Sequence, residues 1–218
     1  MKRTNKLNWL FAVLLLCGIS QTTFSQTLKD FFGSSETPVV YLGVDFTKAK
    51  LINYPNPNPI DIKDRIYNSI NDVVVNEPKK YDINSAFHKS NITSDLTAVR
   101  ASNQKINAEE IVSSNTADFS RLKEADISAV VKKLDISGKK GIGILIVMEG
   151  MKKDDKNGDA SMWVVLIDLS TKKVLLTDRF ESKATGFGFR NYWASTIKIT
   201  LDAIEKKKYK EWKEKNAG

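Results

Sequence analysis

Apolar and polar positions alternate most clearly in the C-terminal third of the chain, where three apolar blocks are separated by short polar stretches. The first is Gly141-Ile-Gly-Ile-Leu-Ile-Val-Met-Glu149, the second Met162-Trp-Val-Val-Leu-Ile-Asp-Leu169, and the third Val174-Leu-Leu-Thr-Asp-Arg-Phe-Glu-Ser-Lys183. Blocks of this length, rich in Val, Ile and Leu, predict three strands. Between the first two lies Lys153-Asp-Asp-Lys-Asn-Gly-Asp159, where Asn157-Gly158 is a hairpin signal because the favoured two-residue turn needs positive φ at both central positions. Ser170-Thr-Lys-Lys173 joins the second and third, so the three strands form a meander. After the bend Gly186-Phe-Gly-Phe-Arg-Asn-Tyr-Trp193, apolar residues at Trp193, Ile197, Leu201 and Ile204 follow a helical period.

The N-terminal half is less regular. Val39-Val-Tyr-Leu-Gly-Val-Asp-Phe46 is apolar apart from Asp45, the pattern of a central strand covered on both faces. The alternating prolines of Asn53-Tyr-Pro-Asn-Pro-Asn-Pro59 exclude helix and sheet interior. Asn58 and Pro59 then suit the cap and first position of a helix. Its buried stripe is Ile62, Ile66, Ile70, Val73 and Val74, and Pro78 marks its end. Residues 79–120 carry no clean period; Ile92, Leu96 and Val99 suggest an irregular edge segment, and Asn107 to Glu110 a helix start. Ile127, Val130, Val131 and Leu134 predict a short amphipathic helix stopped by Gly138. Together these elements predict an α+β fold. An antiparallel or mixed sheet of about four strands, three of them the C-terminal meander, would be covered by helices in one domain over 26–218.

The first 25 residues read differently. Lys2, Arg3 and Lys6 precede the apolar run Trp9 to Cys17, and Thr23 and Ser25 place small residues before Gln26. This is the pattern of a secretory signal peptide spanning 1–25, and the apolar run is shorter than the roughly 20 residues of a membrane span. Export to the periplasm or outer envelope is the expectation. Cys17 follows Leu16 rather than the small residue that lipidation requires, so it reads as part of the apolar run; cleavage after Ser25 would leave a mature chain without cysteine, and no thiol chemistry. The formal charge of +8, less the charges of Lys2, Arg3 and Lys6, leaves +5. That balance supports solubility rather than nucleic-acid binding, and no reading module accompanies it.

Few residues suggest chemistry. His88 is the only histidine, so a catalytic triad or a histidine-based zinc site has at most one member, and a surface histidine is the simpler reading. Asp154, Asp155, Asn157 and Asp159 crowd one hairpin tip, but Lys153 breaks the calcium-loop pattern. Gly141 and Gly143 lie inside an apolar strand, which suits close packing better than phosphate binding. Neither a cofactor nor a metal is expected. Asp45, Glu149, Asp168 and Asp178 all fall on predicted strands and would suit carboxylate-dependent glycan hydrolysis if two of them met in a cleft. Lysines and glutamates alternate after Glu205; a solvated helix end is the favoured reading, with peripheral membrane contact through this basic helix as the alternative.

The glycine-aromatic bend is the most distinctive segment. Phe187, Phe189, Tyr192 and Trp193 could frame a sugar or peptide, with Arg190 and Asn191 near a helix N-terminus where an anion is favoured. The competing reading is core packing at a strand-to-helix corner, with Arg190 paired to Glu149, Asp168 or Asp178. This bend, together with Val164-Val165-Leu-Ile-Asp168, resembles a group of uncharacterised exported proteins of Gram-negative bacteria. The resemblance implies an envelope location and no known activity. A looser similarity, in element order alone, is to the N-terminal domain of TolB and the curli secretion protein CsgG. The expected function is that of a non-enzymatic binding or accessory protein of the cell envelope, with an envelope protein or polymer as partner and the oligomeric state open. The alternatives are the carboxylate hydrolase and a structural subunit with a large exposed apolar patch.

Overall fold

The computed structural model describes residues 27–154 and 157–216. Its centre is a seven-stranded sheet of β1 (Val39–Asp45), β2 (Lys50–Ile52), β3 (Ile92–Ser94), β4 (Val112–Ser113), β5 (Ile142–Lys153), β6 (Gly158–Asp168) and β7 (Lys173–Lys183). Twelve-residue β5 is the spine. Along one edge it carries β1 and then β2, end to end and both parallel to it, with Val39 beside Ile142 and Lys50 beside Gly150. β3 adds in parallel outside β1, and β4 outside β2. On the other edge β6 runs antiparallel to β5, and β7 antiparallel to β6.

This overturns the expected α+β fold of about four strands. The first five strands are all parallel to one another and, apart from the short turn between β1 and β2, are linked through helical segments, which makes the fold α/β. The physical reason is strand length. β2, β3 and β4 have only three, three and two residues, too few for any period to show, and they are held by the ladder of a longer neighbour.

Helices cover both faces. On one face α1 (Leu28–Gly33), α2 (residues 59–76) and α6 (residues 189–216) pack over Tyr41, Val44, Ile144, Ile146 and Val164. Helix α2 runs through Pro59–Asp61, a π turn at Ile62–Ile66 and Tyr67–Asn76. Asn58 caps it, accepting the Asp61 N–H at 3.1 Å, with Pro59 at its first position. Its apolar stripe is the buried set Ile62, Ile66, Ile70, Val73 and Val74. A one-turn helix, α3 (Ile83–Ala86), follows it. On the opposite face α4 (Thr97–Asn103) and α5 (Glu124–Lys133) bury Val99, Ile127, Val130 and Val131 against Leu145, Val147 and Val165. With two covered faces, β5 and β6 have no solvent side, which accounts for their nearly unbroken apolar runs. Leu96 and Val99, read as an edge segment, instead begin and line α4, because Asp95 accepts the Thr97 N–H at 3.1 Å and turns the chain.

Helix α6 runs through Phe189–Ala203, a π turn at Ile204–Lys208 and Tyr209–Asn216. Its last turns are not a free basic tail. Tyr209 and Trp212 are buried against Phe31, Phe32, Phe87 and Phe180. Lys207, Lys208 and Lys210 pair with Glu211 or Glu214. No described helix is long and apolar enough to cross a membrane.

Two buried asparagines complete the end of β1. Strand β3 pairs with β1 only as far as Tyr41, so the outer edge beyond it has no ladder. Asn71 from α2 accepts the Val44 N–H at 2.7 Å and donates to Val44 O at 3.0 Å. Asn103 from α4 accepts the Phe46 N–H at 2.8 Å and donates to the same Val44 O at 3.0 Å. Side chains from both helical layers thus do the work of a missing strand, since buried main-chain groups need partners. Gly43 is required beside them: a Cβ there would stand 2.7 Å from Asn71 Oδ1.

Candidate functional site

The bend expected to carry function lies where β7 ends. β7 runs in the same direction as β5, so the bend, the hairpin after β5 and the proline loop after β2 all emerge at the carboxyl end of the parallel strands. In open α/β sheets ligands bind in crevices at this end.

Local bonds set the bend. Ala184 N–H donates to Gly158 O at 2.7 Å, and Thr185 N–H to Ser195 Oγ at 2.8 Å; that hydroxyl in turn donates to Tyr192 O at 2.7 Å. With both ends tied, the chain turns through Gly186 (φ 94°) and Gly188 (φ 73°), backbone angles that favour glycine. Phe187 between them projects outward and is 94% exposed. Gly188 stands at the N-cap of α6 and supplies no side-chain cap.

The six residues expected to act together divide. Trp193 is fully buried, and Tyr192 packs edge-on against it with ring centroids 5.1 Å apart. Tyr192 also lies flat over Gly158, where a Cβ would come within 2.3 Å of its hydroxyl. These two serve packing. Phe187, Phe189, Arg190 and Asn191 instead line a crevice of about 500 Å³. Arg190 pairs with none of the three carboxylates considered for it; its Nε donates to Asn191 Oδ1 at 3.0 Å.

The other wall consists of residues that the sequence did not single out. Tyr54, Asn58 and Arg65 face the bend across the crevice. Tyr54 packs against Phe189 at 5.3 Å and Trp193 at 6.1 Å. Lys153 Nζ lies 5.3 Å from the ring centres of both Tyr54 and Tyr192, an arrangement that holds a cation without a carboxylate. Burial, and then the neighbouring Tyr192, raises the Tyr54 pKa; burial and the nearby Asp159 and Asp154 raise that of Tyr192. Both phenols are therefore hydrogen-bond donors rather than anions at neutral pH. Arg65 is held by Asp61 through two bonds of 2.7 Å. The one available signal for this wall was that the proline loop follows β2, but a three-residue β2 left the loop's end of the molecule undetermined.

The hairpin turn differs from expectation. Asp154 N–H donates to Asn157 O at 3.0 Å, and Gly158 is already paired with Lys153 in the ladder. Gly158 is needed for the approach of Tyr192, not for the turn. Asp154 accepts the Asn157 N–H at 2.6 Å and Asp159 pairs with Lys152 at 3.7 Å. Among the described residues no group of three His, Cys, Asp or Glu side chains is placed to hold a metal. His88 is exposed and stacks on Tyr209 at 4.2 Å. The segment expected to be a signal peptide, Cys17 included, and Asp155 lie outside the described residues.

The four strand carboxylates have separate surroundings. Asp45 is buried at the end of β1, where Oδ1 accepts the Thr47 N–H at 2.8 Å and Oδ2 has no hydrogen bond. Burial raises its pKa, against the lowering effects of Thr47, Ser102 and Lys48. Glu149, also buried, accepts from Arg179 Nε at 2.8 Å and from the Leu122 N–H at 2.5 Å. Asp168 accepts the Ser170 N–H at 2.9 Å beside Ile142, at the other end of the sheet. Asp178 accepts from Trp212 Nε1 at 2.9 Å and pairs with Lys208 at 3.3 Å. Asp168 and Asp178 thus lie apart from Glu149, and Glu149, Asp168 and Asp178 hold arginine, main-chain or tryptophan donors in place.

Neither a protein-family model nor a curated protein matches the chain. Two solved structures share a weak likeness in fold. A PelC dodecamer from Paraburkholderia phytofirmans is 11% identical over 78% of this chain and 90% of that one, with a TM-score of 0.35. The lipoprotein GNA1162 from Neisseria meningitidis is 12% identical over 77% of this chain and 94% of that one, with a TM-score of 0.29. No sequence family supports the resemblance drawn from the Gly-Phe-Gly-Phe-Arg-Asn-Tyr-Trp element.

Proposed function

We propose that this chain is an exported accessory protein of the cell envelope that binds a partner through the crevice between the proline loop, α2 and the Gly186–Asn191 bend. The observation carrying this reading is the side chains left uncommitted there. Phe187 is exposed with its backbone tied on either side, and Arg190 has no carboxylate partner among the described residues. Aromatic residues and arginine are the types enriched at interfaces. The leader pattern of residues 1–25 supports export. Accessory binding is favoured over carboxylate hydrolysis because Glu149, Asp168 and Asp178 are each taken up by different donors. A purely structural subunit is disfavoured because the exposed large apolar residues among those described are only Ile60, Val112 and Phe187.

The test is affinity purification from cross-linked envelopes with wild-type protein and the double variant Phe187→Ala/Arg190→Ala. Both side chains are solvent-facing, so the variant should keep the wild-type melting temperature. A partner recovered with wild type and lost with the variant supports the reading. Equal recovery by both proteins would remove the crevice as the site.

A further inference from the structure

Two of the most exposed large apolar side chains flank this same crevice. Phe187 is 94% exposed on the bend, and Ile60 is 65% exposed in the first turn of α2, between the lining residues Asn58 and Asp61. Phe187 is itself one of the lining residues, whereas Ile60 stands beside the crevice outside its lining; both side chains are exposed. A protruding apolar side chain can seat in a partner's pocket or enter an acyl layer, and the charge around it decides between the two. A fluid apolar phase accepts it without shape complementarity.

The charges around the two tips include Asp154, close to Tyr192, but among the described residues the groups without an ion pair named below are cations. Arg65 is paired with Asp61, Lys63 with Asp64, and Lys152 with Asp159. Arg190, Lys153 and Lys183 have no ion pair among the described residues; Arg190 bonds only its neighbour Asn191, and Lys153 rests on two tyrosine rings. Lys183 ends β7 at the same end of the sheet, opposite Asp159 in the ladder. Apolar tips among unpaired cations are complementary to an anionic lipid surface: the tips enter the acyl boundary and the cations stay at headgroup level. Tyr54, with a donor hydroxyl and an apolar ring, suits the interfacial layer between.

From this we infer that the carboxyl end of the parallel strands is a bilayer-docking face, with Phe187 and Ile60 as inserting side chains and Arg190, Lys153 and Lys183 contacting anionic headgroups. The inference rests on the crevice being the binding face, and names its partner as a membrane surface. It places the contact at the opposite end of α6 from the basic stretch that the sequence suggested, where Lys207, Lys208 and Lys210 are paired with glutamates.

The test is co-sedimentation with vesicles of phosphatidylethanolamine containing about 30% phosphatidylglycerol, and with vesicles of phosphatidylcholine alone. Wild type and variants carry the same N-terminus, so any contribution of the leader cancels. The expected result is binding to the anionic vesicles, weakened at least about tenfold by Phe187→Ser/Ile60→Ser, since each burial contributes roughly in proportion to apolar area. Arg190→Glu should weaken binding and flatten its dependence on salt. Phe187→Trp should bind as wild type, with emission shifting to the blue on the anionic vesicles. Equal binding by wild type and the Ser/Ser variant, or no vesicle binding by wild type, overturns the inference. A protein partner lost from Phe187→Ala/Arg190→Ala in the envelope experiment, without vesicle binding, would leave the crevice as a site and remove the bilayer as its partner.

Discussion

Replacing Asn71 with alanine tests whether side chains substitute for a strand at the end of β1. In the wild-type protein Asn71 supplies the acceptor for Val44 N–H, at 2.7 Å, and one of two donors to Val44 O. Alanine leaves that buried N–H without a partner, at a cost of about 1–3 kcal/mol. The vacated amide adds roughly 1 kcal/mol as a cavity between α2 and the sheet. Val44 O keeps Asn103, so the carbonyl adds little. The expected loss is about 2–4 kcal/mol, read in urea unfolding as a midpoint about 1–2 M lower at a slope near 2 kcal/mol per M. Asn103→Ala should cost a similar amount through Phe46 N–H. In the double variant Val44 O loses both donors at once, so its loss should exceed the sum of the singles by about 0.5–1 kcal/mol. A single-variant loss below about 0.5 kcal/mol, or strict additivity in the cycle, would refute the argument.

Other expectations concern buried charge and close approach. Asp45→Asn should raise stability at pH 7 by about 1–3 kcal/mol, because the native carboxylate is buried with Oδ2 unbonded. The raised folded pKa means that the wild-type charge penalty is absent below the unfolded value of 3.8 and grows as pH rises toward the folded one; the gain from Asn, followed as melting temperature between about pH 3 and 8, should therefore vanish on acidification. Arg179→Met should cost about 3–5 kcal/mol by stranding the buried Glu149 carboxylate, and Glu149→Gln in the same background should recover part of it in chemical denaturation. Gly158→Ala should displace Tyr192 and lower the melting temperature by several degrees, with Tyr192→Leu in the same background partly restoring it. Lys89 is buried and bonded to the carbonyls of Phe31 and Ser34, and burial together with Lys213 lowers its pKa to about 8. Between about pH 8 and 10 the unfolded chain then binds more protons at this site, so stability measured relative to Lys89→Met should rise with pH.

What the sequence revealed follows from the length of each signal. β5, β6 and β7 were legible because each is eleven or twelve residues long and drawn from β-forming residues. Helix α2 was legible because one apolar stripe continues through its π turn. The parallel half of the sheet was not. β3 contains Ile92, Thr93 and Ser94, and β4 only Val112 and Ser113; such fragments become strands only where β1 and β2 offer a ladder. Missing them changed the fold class. At the candidate crevice, Phe187, Phe189, Arg190 and Asn191 stood out through the unusual glycine spacing of the bend, and they share its lining. Trp193 and Tyr192 share that segment, but helical geometry turns them toward the core. Tyr54 and Lys153 stand about a hundred residues apart in sequence and meet only because β2 and β5 are parallel neighbours, a tertiary fact with no local trace.

The placement of β1 and β2 along β5 also sets an order of assembly. Val39 waits for Ile142 and Lys50 for Gly150, so these pairings close loops of about a hundred residues, whereas β5 finds β6 across a short hairpin and pairs with it rapidly. A chain emerging N-terminus first therefore presents β1, β2 and α2 long before the strand that would hold them exists. Its first half has no sheet to join and stays pliable during synthesis; commitment to the native structure comes late, when β5 appears. The export proposed above would gain from such a delay, since a chain passes a narrow translocation channel before it folds. Here the delay needs no dedicated retarding element, because it is written into the order of the strands.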